Sequence, residues 1–125
     1  MIYGMGTDIA SISRFKKIDS LENFAVKILS INELEIFNGF KEFKQITYLA
    51  KQFAGKEAIS KAFGTGIRSS ITFTNIEILR DDKGKPVFNA LNDLNDLLTD
   101  LGITKTHVSL ADEKNYAIAF AILEI

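Results

Sequence analysis

The sequence contains no cysteine and no tryptophan, and it has one proline and one histidine among its 125 residues. Without cysteine the chain has neither disulfides nor thiolate metal sites, which fits a reducing cytoplasm. A single histidine excludes a histidine cluster of the kind that holds zinc. No run of 18 apolar residues occurs, and the first ten residues lack the features of a signal peptide. We therefore expect a soluble cytoplasmic protein with no membrane-spanning helix.

The charges nearly balance overall, but they are unevenly distributed along the chain. A net charge of −1 gives no indication of nucleic acid binding. Residues 1–68 carry ten basic and seven acidic side chains, whereas residues 69–125 carry five and nine. The first half of the chain is therefore suited to an acidic partner, although an ordinary solvated surface explains the same balance.

Composition and periodicity predict one α+β domain over residues 1–125. The hydrophobic fraction of 46% is sufficient for a core. Strand-like patterns lie at 2–10, 69–81, 86–89, 105–112 and 114–125, and helical patterns at 21–28, after Ser30, at 45–63 and at 90–102. Ser30 is followed three residues later by Glu33, which is a capping-box pattern. We expect a mostly antiparallel sheet packed against one long helix and several shorter helices.

The first predicted strand has one face that is nearly bare of side chains. Ile2, Gly4, Gly6, Asp8 and Ala10 alternate to the same side of this strand. Bare backbone allows another element or a ligand to approach closely. Asp8 is therefore expected at the end of a strand, beside open space.

The long predicted helix carries an acid and a base at positions that favour chemistry. Glu57 continues the apolar stripe of Leu49 and Phe53, where an unpartnered carboxylate is costly. Asp8 and Glu57 together suit Mg²⁺, which takes one or two carboxylates plus waters and phosphates. Lys61 is a candidate for stabilising a phosphate. The alternative is an ordinary Glu57–Lys61 pair on the helix surface.

Several other segments each have a functional and a structural explanation. Gly64-Thr65-Gly66 either presents backbone N–H groups to an anion or simply ends the helix. Gly84-Lys85-Pro86 either holds a phosphate or a ring, or forms a generic turn. His107 shares a strand face with Ser109, but no oxyanion-hole motif accompanies them, so we expect no catalytic triad.

Two surfaces are candidates for protein contacts. Basic residues near the start of the chain, Arg14, Lys16, Lys17 and Lys27, lie close to Phe15, Phe24 and Ile28, which favours either a docking patch or solvated charge. The last predicted strand alternates large residues with Ala117, Ala119 and Ala121, so both of its faces are apolar. The small-residue face lies either under a helix or at a subunit contact. If the long helix covers one face and the 90–102 helix the other, the domain is self-sufficient as a monomer.

Four segments taken together resemble one family. These are "GMGTDIASISRF", "FAGKEAISKAFGTGI", "GKP" and "HVSLADEKNYAIAFAILE". Their order and spacing resemble the bacterial holo-acyl-carrier-protein synthases, the short type of 4′-phosphopantetheinyl transferase. The resemblance spans essentially the whole chain, and the helix segment is its most specific part.

The resemblance implies a reaction and a set of site residues. It implies transfer of 4′-phosphopantetheine from coenzyme A to a serine of apo-acyl carrier protein, releasing adenosine 3′,5′-bisphosphate. Asp8 and Glu57 are implied to bind Mg²⁺ with the coenzyme pyrophosphate, and Lys61 to lie near the transferred phosphate. The segments 64–66 and 84–86 and His107 are implied to contact the coenzyme, with 84–86 near its nucleotide end. Asp8 is our candidate for the general base.

The resemblance also implies partners. Carrier proteins of this kind are strongly acidic, so Arg14, Lys17 and Lys27 become candidate docking residues. Lys27 replaces an arginine that is frequent in the family, which exchanges a bidentate fork for a point charge. Family members are commonly homotrimers with the site at the subunit interface. A rival hypothesis is a non-catalytic trimeric module that binds coenzyme A or a nucleotide and docks a protein partner.

Overall fold

A computed structural model describes residues 1–125 as five strands and five helices. The strands are β1 (Ile2–Ser11), β2 (Ile76–Arg80), β3 (Pro86–Ala90), β4 (Lys105–Asp112) and β5 (Tyr116–Glu124). The helices are α1 (Ile12–Lys16), α2 (Leu21–Ile28), α3 (Ile31–Asn38), α4 (Glu42–Ala62) and α5 (Asp93–Asp100). The predicted α+β class is confirmed. None of the helices combines the length and apolarity needed to cross a membrane.

Two antiparallel sheets accompany the long helix. One has the strand order β1-β5-β4, and the other is the β2-β3 hairpin. In the first sheet the N-terminal strand pairs with the C-terminal strand, with Asp8 opposite Ala119 and Ile9 opposite Ile118. This register brings the site residues of β1 next to the end of the chain.

Helix α4 lies against the three-stranded sheet and is buried over much of its circumference. Its buried apolar residues are mostly small, and they include Ala50, Ala54, Ala58 and Ala62. Alanine favours the helix and allows close approach of neighbouring backbones. The 21-residue length of α4 confirms the longest predicted helix, although it begins at Glu42, before the predicted start.

The glycines of β1 permit a direct backbone contact with α4. A Cβ atom on Gly6 would lie 2.0 Å from the Ala58 carbonyl oxygen, and one on Gly4 would lie 2.0 Å from the Ala62 carbonyl oxygen. Strand and helix therefore run antiparallel, since Gly6 follows Gly4 while Ala58 precedes Ala62 by one turn. The bare face predicted from the sequence is occupied by a helix.

We expect Gly6→Ala to destabilise the fold by at least about 2 kcal/mol, because the added methyl group forces α4 away from the sheet. Gly39→Ala is the matched control, since its added Cβ would have no neighbour closer than 3.4 Å. Urea unfolding of both variants measures the difference. Equal stability of the two variants would contradict the close packing of α4 on β1.

The two faces of β5 have different environments, and this decides between the explanations left open above. Ala117, Ala119, Ala121 and Leu123 are at most 1% exposed and lie on the side of α4. The small-residue face is therefore beneath a helix, and the suggestion that it forms a subunit contact is wrong.

The opposite side of the three-stranded sheet is uncovered by any helix of this chain. We call it the open face; it comprises Met5, Thr7, Ile9, His107, Ser109, Tyr116, Ile118, Phe120, Ile122 and Glu124. Helix α5 contacts β3 instead of this face, so the predicted two-sided cover by α4 and the 90–102 helix is wrong. The open face exposes an unusually large set of apolar side chains.

Local signals located most element ends, with some differences. Ser30 and Glu33 form the predicted capping box at the start of α3. The predicted strand at 69–81 is confirmed only for Ile76–Arg80, because two turns precede it. Hydrogen bonds between Arg68 and Ile71 close the first turn, and the Ile76 N–H donates to the Thr72 carbonyl oxygen to close the second. Helix α5 begins at Asp93 because Asn92 adopts a positive φ of 55°.

Candidate functional site

Asp8 and Lys61 are in direct contact where β1 crosses α4. Lys61 Nζ donates to Asp8 Oδ1 at 2.9 Å and to the Thr7 carbonyl oxygen at 3.1 Å. The Asp8 side chain is 16% exposed and that of Lys61 is 49% exposed, so the pair stands at the edge of solvent. Because Gly4 and Gly6 admit the helix, Asp8, next on the same strand face, reaches the side of α4.

Glu57 lies one turn before Lys61 and belongs to the same cluster. Partial burial raises the pKa of its carboxyl, the nearby Asp8 carboxylate raises it further, and Lys61 and Arg14 oppose these effects. Glu57 takes part in none of the ion pairs of the structure, since Lys61 pairs with Asp8. The explanation of Glu57 and Lys61 as an ordinary surface pair is therefore wrong.

Two neighbouring carboxylates with one ammonium group are suited to bind a hard cation together with phosphate. The structure contains no group of three or more side chains able to hold a metal ion. Two carboxylates nevertheless fit Mg²⁺, which usually completes its shell with waters and substrate phosphates. The pKa of Glu57 is raised because the positive charges of Lys61 and Arg14 do not fully offset its burial and the nearby Asp8 carboxylate. A bound cation would offset them further.

Arg14 connects this cluster to the first helix. Its guanidinium group lies over the rings of Phe53 and Phe15, at 5.1 Å and 5.7 Å from their centroids. Phe53 in turn stacks on Phe73 with a centroid distance of 5.4 Å. The exposed arginine is thus held on an aromatic base beside Glu57. Lys17 and Lys27 are exposed on the neighbouring α1–α2 region, as predicted for a basic surface.

The glycine turn follows the end of α4 directly. Gly64 and Gly66 adopt positive φ angles of 88° and 76°, which confirms the predicted left-handed end of the helix. The Gly66 N–H donates to the Ser60 carbonyl oxygen, and the Gly64 N–H donates to that of Lys61. These two N–H groups therefore satisfy the helix end, and Thr65 between them is exposed.

The segment Gly84-Lys85-Pro86 lies in the hairpin between β2 and β3. The Lys85 N–H donates to Asp81 Oδ1, and Arg80 Nη1 donates to the Gly84 carbonyl oxygen at 2.8 Å. Arg80 also lines a cavity of about 410 Å³ between α3, α4 and β2. Its other lining residues are Ile36, Phe40, Phe43, Lys44, Thr47, Tyr48, Lys51, Gln52, Ile78 and Leu79. The hairpin is thus joined to a cavity with aromatic and basic walls.

His107 is separated from the acidic cluster within one chain. It lies on the open face, where His107 Nε2 is 2.6 Å from Glu124 Oε2. The Asp8 side chain lies on the other side of the same sheet, with Ala119 and α4. This placement brings Asp8, Glu57 and Lys61 together but leaves His107 on the far side of the sheet.

A buried polar network went unnoticed in the sequence. Glu33 and Lys56 are fully buried, and Lys56 Nζ lies 2.6 Å from Glu33 Oε1. The capping-box pattern indicates only a local role for Glu33, and the apolar stripe predicted for α4 does not include Lys56. One signal in the sequence is that Gln52 and Lys56 are four residues apart, so they share one face of an alanine-rich helix. Because almost every side of α4 is covered, that face is buried as well.

Comparisons with known proteins give one consistent result. Residues 4–121 match the family model of the 4′-phosphopantetheinyl transferase superfamily. Holo-[acyl-carrier-protein] synthase of Vibrio cholerae is 47% identical over 126 residues, covering 99% of this chain and 98% of the relative.

Solved structures agree with the sequence comparison. The crystal structure of holo-[acyl-carrier-protein] synthase from Neisseria meningitidis matches with a TM-score of 0.92 and 42% identity, covering both chains completely. The synthase from Bacillus anthracis, solved in complex with CoA (3′,5′-ADP), matches with a TM-score of 0.84 and 35% identity over 98% of this chain and 96% of that one.

Proposed function

Since the chain belongs to the 4′-phosphopantetheinyl transferase superfamily, we propose that it transfers 4′-phosphopantetheine from coenzyme A to a serine of apo-acyl carrier protein. The observation that carries this proposal is the contact between Asp8 and Lys61 beside the poorly compensated carboxylate of Glu57. We further propose that residues 1–125 act as one domain.

The reaction joins the serine oxygen to phosphorus and breaks a bond of the coenzyme pyrophosphate. Adenosine 3′,5′-bisphosphate is the leaving group, and the serine proton must be accepted by a base. Lys61 supplies a cation to the phosphate oxygens, where negative charge is concentrated. Asp8 is the proposed base, acting directly or through a water molecule, because it is the carboxylate nearest to Lys61.

We propose Asp8 and Glu57 as the protein ligands of a magnesium ion. When bound, the ion neutralises phosphate charge and orients the pyrophosphate for in-line displacement. The donor set supports this role, since both side chains offer hard oxygen atoms at the solvent edge.

The coenzyme requires more surface than this cluster provides. We propose that Gly64-Thr65-Gly66 lies beside the bound coenzyme and that Gly84, Lys85 and Pro86 lie near its nucleotide end. The cavity next to Arg80 supports the second assignment, since its basic and aromatic lining suits a phosphorylated nucleoside. His107 completes the proposed coenzyme contacts.

We propose a homotrimer in which neighbouring subunits share each site. The open face supports an assembly, because several large apolar side chains are exposed on it, and exposed apolar patches often mark a protein interface. A second copy of the chain docked there would place groups of another subunit beside His107. Within one chain, His107 and the cluster of Asp8, Glu57 and Lys61 lie on opposite sides of the sheet. In the proposed assembly, His107 of one subunit would contribute to the same coenzyme site as the cluster of its neighbour.

An assay of transfer tests the proposed function. The chain is incubated with coenzyme A, Mg²⁺ and apo-acyl carrier protein, and the intact carrier is weighed. We expect a mass increase of one phosphopantetheine group, absent when the carrier serine is replaced by alanine. Binding of coenzyme A without any mass change would favour the non-catalytic module instead.

We expect Arg14→Glu to raise the KM for apo-carrier protein about 10-fold or more. Arg14 is exposed and held on Phe53, and hydrogen bonds to charged groups contribute about 1.5–3 kcal/mol. Initial rates with each substrate varied in turn measure the effect, with Lys114→Glu as the control at a different exposed basic residue. An equal rise in the KM for coenzyme A would argue against a role specific to the carrier protein.

A further inference from the structure

A buried polar network centred on Glu33 includes Gln52 and Lys56 of α4. Glu33 uses both carboxylate oxygens fully. Oε1 accepts from Lys56 Nζ at 2.6 Å and the Ser30 N–H at 2.8 Å. Oε2 accepts from Gln52 Nε2 at 2.6 Å and the Ile78 N–H at 2.8 Å. The network therefore ties α4 to α3 and β2 with directional bonds.

Lys56 has a second anchor in the segment after α4. Its ammonium group donates to the Phe73 carbonyl oxygen at 2.7 Å. The Phe73 ring stacks on Phe53, which carries the guanidinium group of Arg14. Lys56 thus links the buried side of α4 to the Phe73 and Phe53 rings that support Arg14.

On the side that faces β1 and β5, α4 has few directional contacts that would fix its rotation. Its contacts with β1 and β5 are made largely by alanines and by bare glycine backbone. Small apolar surfaces pack closely, but they lack the interlocking shape that large side chains give. Hydrogen bonds to a buried charge depend on both distance and angle, so they resist sliding and rotation.

Glu57 follows Lys56 directly in the chain, and Lys61 follows one turn later. Any rotation of α4 therefore moves both Glu57 and Lys61, and the hydrogen bonds of Lys56 resist such a rotation. We propose that Lys56 and Glu33 are positioning residues, whose buried ion pair sets the rotation of α4 and so holds Glu57 and Lys61 in register with Asp8. The expected loss of kcat rests on the proposed transfer reaction, whereas the expected change in the position of Lys61 does not.

The paired variant Glu33→Gln with Lys56→Met tests the inference. It removes both charges together, because removal of one alone would leave an uncompensated charge in the core. The glutamine retains an oxygen for a backbone N–H, and methionine retains most of the lysine volume. Replacement of a buried ion pair by neutral groups of similar volume is often tolerated by the fold.

Glu77→Gln is the matched control. Glu77 is also buried and accepts from Ser30 Oγ and Asn32 Nδ2, but it has no hydrogen bond to α4. Steady-state kinetics with both substrates, thermal unfolding, and crystal structures of wild type and variants provide the readouts.

We expect kcat of the paired variant to fall about 10- to 100-fold, as for a small misplacement of catalytic groups. The KM values should stay within about 3-fold, and Glu77→Gln should change kcat less than about 2-fold. In the crystal structure of the paired variant, the 2.9 Å contact between Lys61 Nζ and Asp8 Oδ1 should be broken.

Three results would overturn the inference. These are a kcat within about 2-fold of wild type after correction for the folded fraction, an equal loss in Glu77→Gln, and an unmoved Lys61–Asp8 contact. If the paired variant does not fold, Lys56→Arg replaces it, with the same kinetic and crystallographic criteria. A wild-type protein without transfer activity would refute the proposed function, and the crystal structures alone would then decide whether Lys56 and Glu33 position the site.

Discussion

Glu57→Gln is expected to reduce transfer by at least about 100-fold while making the folded protein more stable at neutral pH. The loss follows from removal of a charge from the proposed magnesium site, because electrostatic stabilisation is usually the largest contribution to the rate of such a reaction. Asp8→Asn should cause a comparable loss, because it weakens the same donor set and also the contact with Lys61.

The sign of the stability change follows from the raised pKa of Glu57. A folded-state pKa above the ordinary value of 4.5 means that the folded protein binds this proton more tightly than the unfolded chain. The resulting stability is fully present below pH 4.5 and is lost as the pH rises through the folded-state pKa. Glutamine avoids this loss, so the variant should melt above wild type at pH 7 and close to it near pH 4.

Thermal unfolding at the two pH values, with and without Mg²⁺, measures these effects. Added Mg²⁺ should raise the melting temperature of wild type, since a ligand of the folded state stabilises it, and should have little effect on the variant. Glu35→Gln on the exposed side of α3 is the control for the substitution itself. A folded Glu57→Gln variant with more than about a tenth of wild-type kcat/KM would remove Glu57 from the site.

Ile118→Glu and Ala119→Arg are expected to have opposite consequences, although the two residues are adjacent. Ile118 is 47% exposed on the open face, so a glutamate there is compatible with a folded subunit. In an assembly joined through the open face, the same glutamate is an unpaired charge in an apolar contact, which costs several kcal/mol. We expect Ile118→Glu to dissociate the proposed homotrimer and to abolish transfer at assay concentrations.

Ala119 is 1% exposed beneath α4, so arginine at this position has neither space nor solvent. The free energy of unfolding of a typical domain is only about 5–15 kcal/mol. Because burial of an unpaired arginine costs a large part of this, we expect Ala119→Arg to unfold the chain. Light scattering and circular dichroism distinguish the two outcomes. A wild-type protein that transfers phosphopantetheine as a monomer, or an Ile118→Glu variant that remains trimeric, would contradict the shared site.

The sequence by itself predicted most element types and singled out the residues of the cluster formed by Asp8, Glu57 and Lys61. Alternation identified β4 and β5, spacing of three and four identified α4, and a capping box identified the start of α3. Asp8 and Glu57 stood out because carboxylates occupied positions where periodicity expected apolar groups. These signals are local, since each depends on residues a few positions apart, and the long specific segment of α4 supplied the family.

The tertiary structure decided matters that depend on contacts between distant parts of the chain. Lys61 pairs with Asp8, 53 positions earlier, instead of with Glu57 one turn away. Lys56 is buried because Glu33 of α3 and the Phe73 carbonyl oxygen, which precedes β2, supply its partners. Spacing within α4 does not identify these partners. The apolar pattern of β5 was symmetric in the sequence. The packing of α4 on its alanine side leaves Ile118 and Phe120 exposed, because the bare glycines of β1 admit a helix on that side alone.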